Sequence, residues 1–194
     1  MKGIATTIAA VATLAASAML DVHAKVVVIA NAQSAVPASA LEYVRTTMRQ
    51  GLRLPVKILD EGSAAAPRLP TGDEGFLLRV VDDANNPLRF FCAPDDGVAV
   101  VNVRPLMADG PDGKTLERRV MKECWRAFVY AMGGGNTTTP PCPMKPCATL
   151  SDVDELGSCC PSPEVFNNVM RACKKRGIEA KADGESSGGE GDGN

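Results

Sequence analysis

The residues able to do chemistry in this 194-residue chain are seven cysteines and a run of basic and polar side chains between Arg118 and Asn136. The single histidine, His23, lies at the end of an apolar N-terminal segment, and no imidazole follows it. Beyond His23 the chain therefore lacks the commonest zinc ligand and the usual base of a cysteine or serine nucleophile. Cys92, Cys124, Cys142, Cys147, Cys159, Cys160 and Cys173 read instead as structural thiols, disulfide partners or soft-metal ligands. Cys124 falls on an apolar helical stripe and is expected as a buried thiol. Adjacent cysteines rarely bond each other, so Cys159 and Cys160 are expected to take different partners. The odd count leaves at least one thiol unpaired or joined to another chain.

The basic run has helical spacing. Arg118, Lys122 and Arg126 recur at i, i+4 and i+8, which predicts a solvated helix face with Glu123 pairing Arg119. A second reading places Arg126, Tyr130 and Asn136 around an anion, because a guanidinium grips a carboxylate with two hydrogen bonds. Asp152, Asp154 and Glu155 lack the spacing of a calcium loop and read as a solvated turn.

The elements that must position these groups follow from periodicity. Lys25 to Ala30 is β-branched and apolar almost without a break, as in a buried strand. Leu41, Val44, Met48 and Leu52 form one helical face, with Ser39 as its expected cap and Gly51 and Pro55 as its end. Val56–Leu59 completes a strand–helix–strand unit. Phe76–Val81, Leu88–Cys92 and Gly97–Val103 add three strands. A long helix from about Thr115 to Met132, capped by Thr115, carries Leu116, Val120, Cys124, Phe128 and Ala131 inward, with Trp125 beside them. Gly133-Gly134-Gly135 ends it. From Asn136 to Cys160 the chain is rich in Pro, Thr and Cys and lacks periodicity, and a short helix follows over Pro163–Lys175. The fold class is α/β (α+β): a mixed twisted sheet with two packed helices, then a small Cys-rich C-terminal subdomain.

The ends of the chain set its compartment. Met1-Lys2, the apolar run Ile4–Leu20 and the small residues Val22 and Ala24 form a secretory signal over residues 1–24, with cleavage after Ala24. Export places the mature chain in the secreted or periplasmic space, where cysteines favour disulfides. No stable membrane span is expected after cleavage. Residues 25–178 form one domain, divided into 25–135 and 136–178. Residues 179–194 read as a disordered acidic Gly/Ser tail. The formal net charge is −2, and no strong basic excess suggests a nucleic-acid partner.

One motif frame organises the candidate site. Zinc peptidases of the metzincin type place His-Glu-x-x-His on a helix and follow it with x-x-Gly-x-x-His. On that frame Arg126 takes the first histidine, Ala127 the catalytic glutamate, Tyr130 the second histidine, Gly133 the turn glycine and Asn136 the third histidine. The surroundings resemble the archaemetzincin family. Val98-Ala99-Val100-Val101-Asn102-Val103-Arg104-Pro105-Leu106 stands for its strand, and Leu116-Glu117-Arg118-Arg119-Val120-Met121-Lys122-Glu123 for the lead into its zinc helix. Cys142 and Cys147 match its later cysteine spacing, Thr149 stands at its turn methionine, and Met170-Arg171-Ala172-Cys173 matches a last pair without its first cysteine. The resemblance covers most of Lys25–Ile178 and is tightest from Val98 to Cys147.

The resemblance implies a zincin-type fold, while the residues in the ligand slots imply no zinc hydrolysis. A guanidinium repels a cation, and Ala127 cannot accept a proton from water. No catalytic residue and no cofactor are expected. The resemblance also implies a structural zinc on four cysteines, drawn from Cys142, Cys147 and Cys173 with Cys159 or Cys160; disulfides among the same residues are the alternative. The function expected is an exported pseudopeptidase that binds a protein, a peptide or a small anion in its metal-free cleft. Two alternatives stand beside it: a cysteine-stapled structural protein with no ligand, and an active metallopeptidase with non-standard ligands.

Overall fold

A computed structural model describes residues 24–62, 67–137, 142–156 and 161–179. Residues 1–23 of the expected signal segment, Cys159 and Cys160, and the acidic tail beyond Glu179 lie outside the described residues. Five strands form one sheet: β1 (Val26–Ala32), β2 (Val56–Gly62), β3 (Glu74–Val81), β4 (Phe90–Ala93) and β5 (Val98–Asn102). Their order is β2-β1-β3-β5-β4. β1 pairs in parallel with β2 and β3, β3 pairs in parallel with β5, and β4 runs antiparallel to β5 at the edge. The helices are α1 (Ala38–Leu52), α2 (Gly113–Ala131), α3 (Leu150–Glu155) and α4 (Pro163–Lys175), with a 3-10 turn at Arg104–Met107.

β1 is buried along its whole length and lies inside the sheet, between β2 and β3. On one face Val27, Ile29, Phe76, Leu78, Ala99 and Val101 pack against Leu41, Val44 and Met48 of α1 and Val120, Cys124 and Phe128 of α2. Phe76 meets Phe128 edge-on, with ring centroids 5.2 Å apart. On the other face Val26, Val28, Ala30, Leu77 and Val98 form a smaller cluster. The cysteine-rich half joins the first cluster through Cys142, Met144, Val165, Val169, Cys173 and Ile178. The Lys25 amide donates to Gly177 O at 2.9 Å, tying the chain beyond α4 to the start of β1.

Four local expectations are corrected. Ser39 does not cap α1, which begins after Pro37 without a side-chain cap; its hydroxyl donates to Glu117 Oε1 on α2 at 2.6 Å. Gly51 does not end α1 but lies within its last turn, where a Cβ would stand 2.7 Å from the Trp125 ring. The helix ends at Arg53, in the left-handed region at φ 55°. Asp112, rather than Thr115, caps α2 and accepts the Thr115 amide at 2.7 Å. Asp152, Asp154 and Glu155 are not a solvated turn but belong to α3, which opens with a reciprocal pair of bonds between Thr149 and Asp152.

Candidate functional site

The glycine turn after α2 forms as its sequence predicts. Gly133 takes φ +79°, and its amide donates to Tyr130 O at 3.0 Å. The Gly134 amide reaches Val129 O at 2.8 Å, and a Cβ at Gly134 would lie 2.3 Å from the Val129 side chain. Residues 126–136 therefore fold the chain back past the end of α2, where two imidazoles a turn apart and a third after the glycine could converge.

The side chains that stand there do something else. Arg126 is only 4% exposed. Its Nη1 donates to Lys145 O at 2.7 Å, to Cys147 Sγ at 2.9 Å and to Pro143 O at 3.3 Å. Its guanidinium lies 5.9 Å from the centre of the Phe90 ring, which stacks on Tyr130 with centroids 5.6 Å apart. The Tyr130 hydroxyl donates to Asn136 Oδ1. Ala127 is fully buried, and its carbonyl accepts from the Cys92 thiol at 3.2 Å. So Arg126, Tyr130 and Asn136 do not converge on an open anion site: the first binds the chain's own carbonyls and the other two bind each other.

The basic run is a solvated face only at Arg118, which is exposed; Lys122 and Arg126 are buried. Arg119, Lys122, Glu123 and Arg126 are all buried. Arg119 does not pair with Glu123. It holds Asp109 and Asp154, each through a pair of hydrogen bonds of 2.6–2.9 Å, and donates to Leu106 O at 2.8 Å. These carboxylates raise the pKa of Arg119, and Arg119 lowers both of theirs. Lys122 Nζ donates to Val153 O and Asp154 O, both at 2.8 Å, near the end of α3. Glu123 has no exposed surface and lies 3.4 Å from Arg126 Nε and 3.7 Å from Arg89 Nη1. Burial raises its pKa, and the two arginines oppose that rise.

Arg89 is the site residue that sequence reading missed. It precedes β4 and donates to Thr149 O at 3.0 Å and to Cys147 O. Nothing in its neighbourhood of the sequence marks it, because its partners are carbonyls 58 to 60 residues away.

The cysteines make a second test. Cys92, Cys124, Cys142, Cys147 and Cys173 are free thiols in the structure, and disulfides among Cys142, Cys147 and Cys173 are not formed. No group of three His, Cys, Asp or Glu side chains able to hold a metal occurs among the described residues. Burial pushes the Cys92 thiol up to about 11 and the Cys173 thiol up to about 12, and raises Cys124 as well. These thiols stay protonated at neutral pH and are poor nucleophiles. Cys147 is also raised by burial, with Arg126 pulling the other way. At the end of α2 the donor set is equally unsuited to zinc: a guanidinium presents no lone pair, and the phenol and carboxamide are bound to each other.

No protein-family model matches the sequence, and no curated protein matches it. Solved structures do match. An archaemetzincin from Methanopyrus kandleri superposes with a TM-score of 0.63 at 18% identity, covering 78% of this chain and 97% of that one. A zinc-dependent peptidase from Methanocorpusculum labreanum gives 0.59 at 16% identity, over 73% of this chain and 99% of that one. An archaemetzincin from Archaeoglobus fulgidus, complexed with malonate, gives 0.54 at 12% identity over the same shares of the two chains. The five-stranded sheet and its packed helices thus make up an archaemetzincin-like, metallopeptidase-like fold.

Proposed function

We propose that this chain is an exported pseudopeptidase: a metallopeptidase-like protein that performs no peptide hydrolysis and acts as an interaction module. The observation that carries the reading is the use made of Arg126. In the slot where the resemblance puts the first zinc ligand, a buried guanidinium is committed to Lys145 O and Cys147 Sγ. A divalent cation brought to that point would meet a fixed positive charge and no imidazole. Ala127 supplies no base to activate water.

A second reading is favoured by one observation, the engagement of Arg126, Tyr130 and Asn136 within the chain itself. On that reading the protein is structural and the former cleft takes no ligand. The test of the main reading uses the mature chain, prepared with zinc supplied and assayed against a mixed peptide library. The expected result is no cleavage. Peptide cleavage that a chelator abolishes and zinc restores would overturn the proposal, because it would require an active metal that these residues do not provide. N-terminal sequencing of the exported product checks the export step and should begin at Lys25.

A further inference from the structure

The segment crossing the end of α2 is fastened in an unusual way. Its entry is anchored by Met144, which is fully buried in the core, and its exit by the Thr149–Asp152 cap of α3. Between these anchors Lys145, Pro146, Ala148 and Thr149 are exposed, and Cys147 is half-buried. Among the described residues no strand ladder and no apolar cluster holds this stretch; at its far end the Ala148 and Thr149 amides donate to Asp152 Oδ2 at 2.9 and 2.7 Å. Arg126 takes Lys145 O and Cys147 Sγ, and Arg89 takes Cys147 O and Thr149 O. The two arginines come from α2 and from the start of β4, and Glu123 lies between their charges. Beside the far end of the stretch is a cavity of about 510 Å³, lined in part by Arg89, Pro105, Ala148 and Leu150. Backbone held by a few side-chain bonds, poor in apolar contacts and next to free space, opens at low cost compared with the core.

We propose that Lys145–Thr149 is a strap, closed over the end of α2 by Arg126 and Arg89, that opens without unfolding the domain and so uncovers the Arg126–Glu123–Arg89 group. This goes beyond the functional reading and stands whether or not the chain hydrolyses peptides. The closed strap explains why the end of α2 offers no open site. An opened strap would present the Arg126 and Arg89 guanidinium groups to whatever approaches.

Cys147 reports the motion. The full mature chain, kept reduced, is alkylated with iodoacetamide, and each cysteine is followed by peptide mass spectrometry in the native protein and in the variants Arg89→Ala and Arg126→Ala. Both variants are expected to speed Cys147 alkylation tenfold or more while Cys124 and Cys173 stay protected. The chemistry favours the test, since removing either positive charge disfavours the Cys147 thiolate and by itself slows alkylation. Unchanged Cys147 rates in both variants would overturn the strap. So would parallel acceleration at Cys147, Cys124 and Cys173, because the arginines would then be holding the whole fold. Arg89→Ala changes no residue of α2, although it withdraws one of the two charges facing Glu123, and keeps the test decisive if Arg126→Ala fails to fold.

Discussion

The two sides of α2 are both buried, and they are buried by different means. One side presents Val120, Cys124, Trp125 and Phe128 to α1 and the sheet. The other presents Arg119, Lys122, Glu123 and Arg126 to α3 and the strap. The first side meets regular elements whose backbone groups already bond one another, so apolar area is all it must supply. The second side meets an irregular segment whose carbonyls have no ladder partner, and its cations supply the donors. A helix can therefore bury a cation where its neighbour offers carbonyls outside any ladder, as α2 does here with Lys122 and Arg126.

The comparison breaks most easily on the apolar side. Trp125 is fully buried, stands against Gly51 and donates from Nε1 to Thr47 Oγ1 at 3.1 Å. Trp125→Ala removes the largest side chain joining α1 to α2, and Gly51 offers nothing to refill the space. The expected loss is about 3–5 kcal/mol of unfolding free energy, read by denaturant titration. A loss of less than about 1 kcal/mol would mean that the α1–α2 contact is not the main support of the domain.

On the polar side the expected effect is smaller. Lys122→Met keeps the aliphatic stem but withdraws the ammonium from Val153 O and Asp154 O. Bonds to charged donors carry about 1.5–3 kcal/mol, and the exposed part of α3 lets water replace some of that. A drop of about 1–2 kcal/mol is expected, with the earliest increase in amide exchange in α3. A stabilised Lys122→Met variant would show that burying this cation costs more than its carbonyl bonds return.

What the sequence revealed follows the same division. The β1–α1–β2 unit, the five strands, the span of α4 and the turn at Gly133 all rest on local signals: period, β-branching and glycine conformation. The charged side of α2 did not announce itself, because Arg118, Lys122 and Arg126 have the spacing of an ordinary solvated face. The burial of Lys122 and Arg126 is decided by chain 17 to 32 residues further on, whose carbonyls carry no residue-type signature. Gly51 was legible as a glycine but not as a close-contact glycine, since the Trp125 ring that requires it lies on another helix. For the candidate site, the motif frame located residues 126–136 correctly as a helix end and glycine turn, yet the partners of Arg126 could not be read from it.

Glu123 gives the finest test of the polar side, because desolvation and two arginines pull it in opposite directions. Burial raises its pKa in the folded protein above the ordinary glutamate value, more than Arg126 and Arg89 lower it. A carboxyl group with a raised folded pKa favours the folded state while it is protonated. That contribution is fully present below the unfolded value of about 4.5 and is lost as pH rises through the folded pKa. Glu123→Gln keeps the shape and carries no charge to lose. The variant and the native chain should therefore have similar stability near pH 4, and the variant should become the more stable of the two as pH rises towards 7. The measurement is a pair of denaturant titrations at several pH values, and the gap should be smaller than the effect of Lys122→Met. A native chain more stable than Glu123→Gln at neutral pH would mean that the arginines outweigh desolvation, and that this side of α2 is held by its ion pairs as well as by carbonyl bonds.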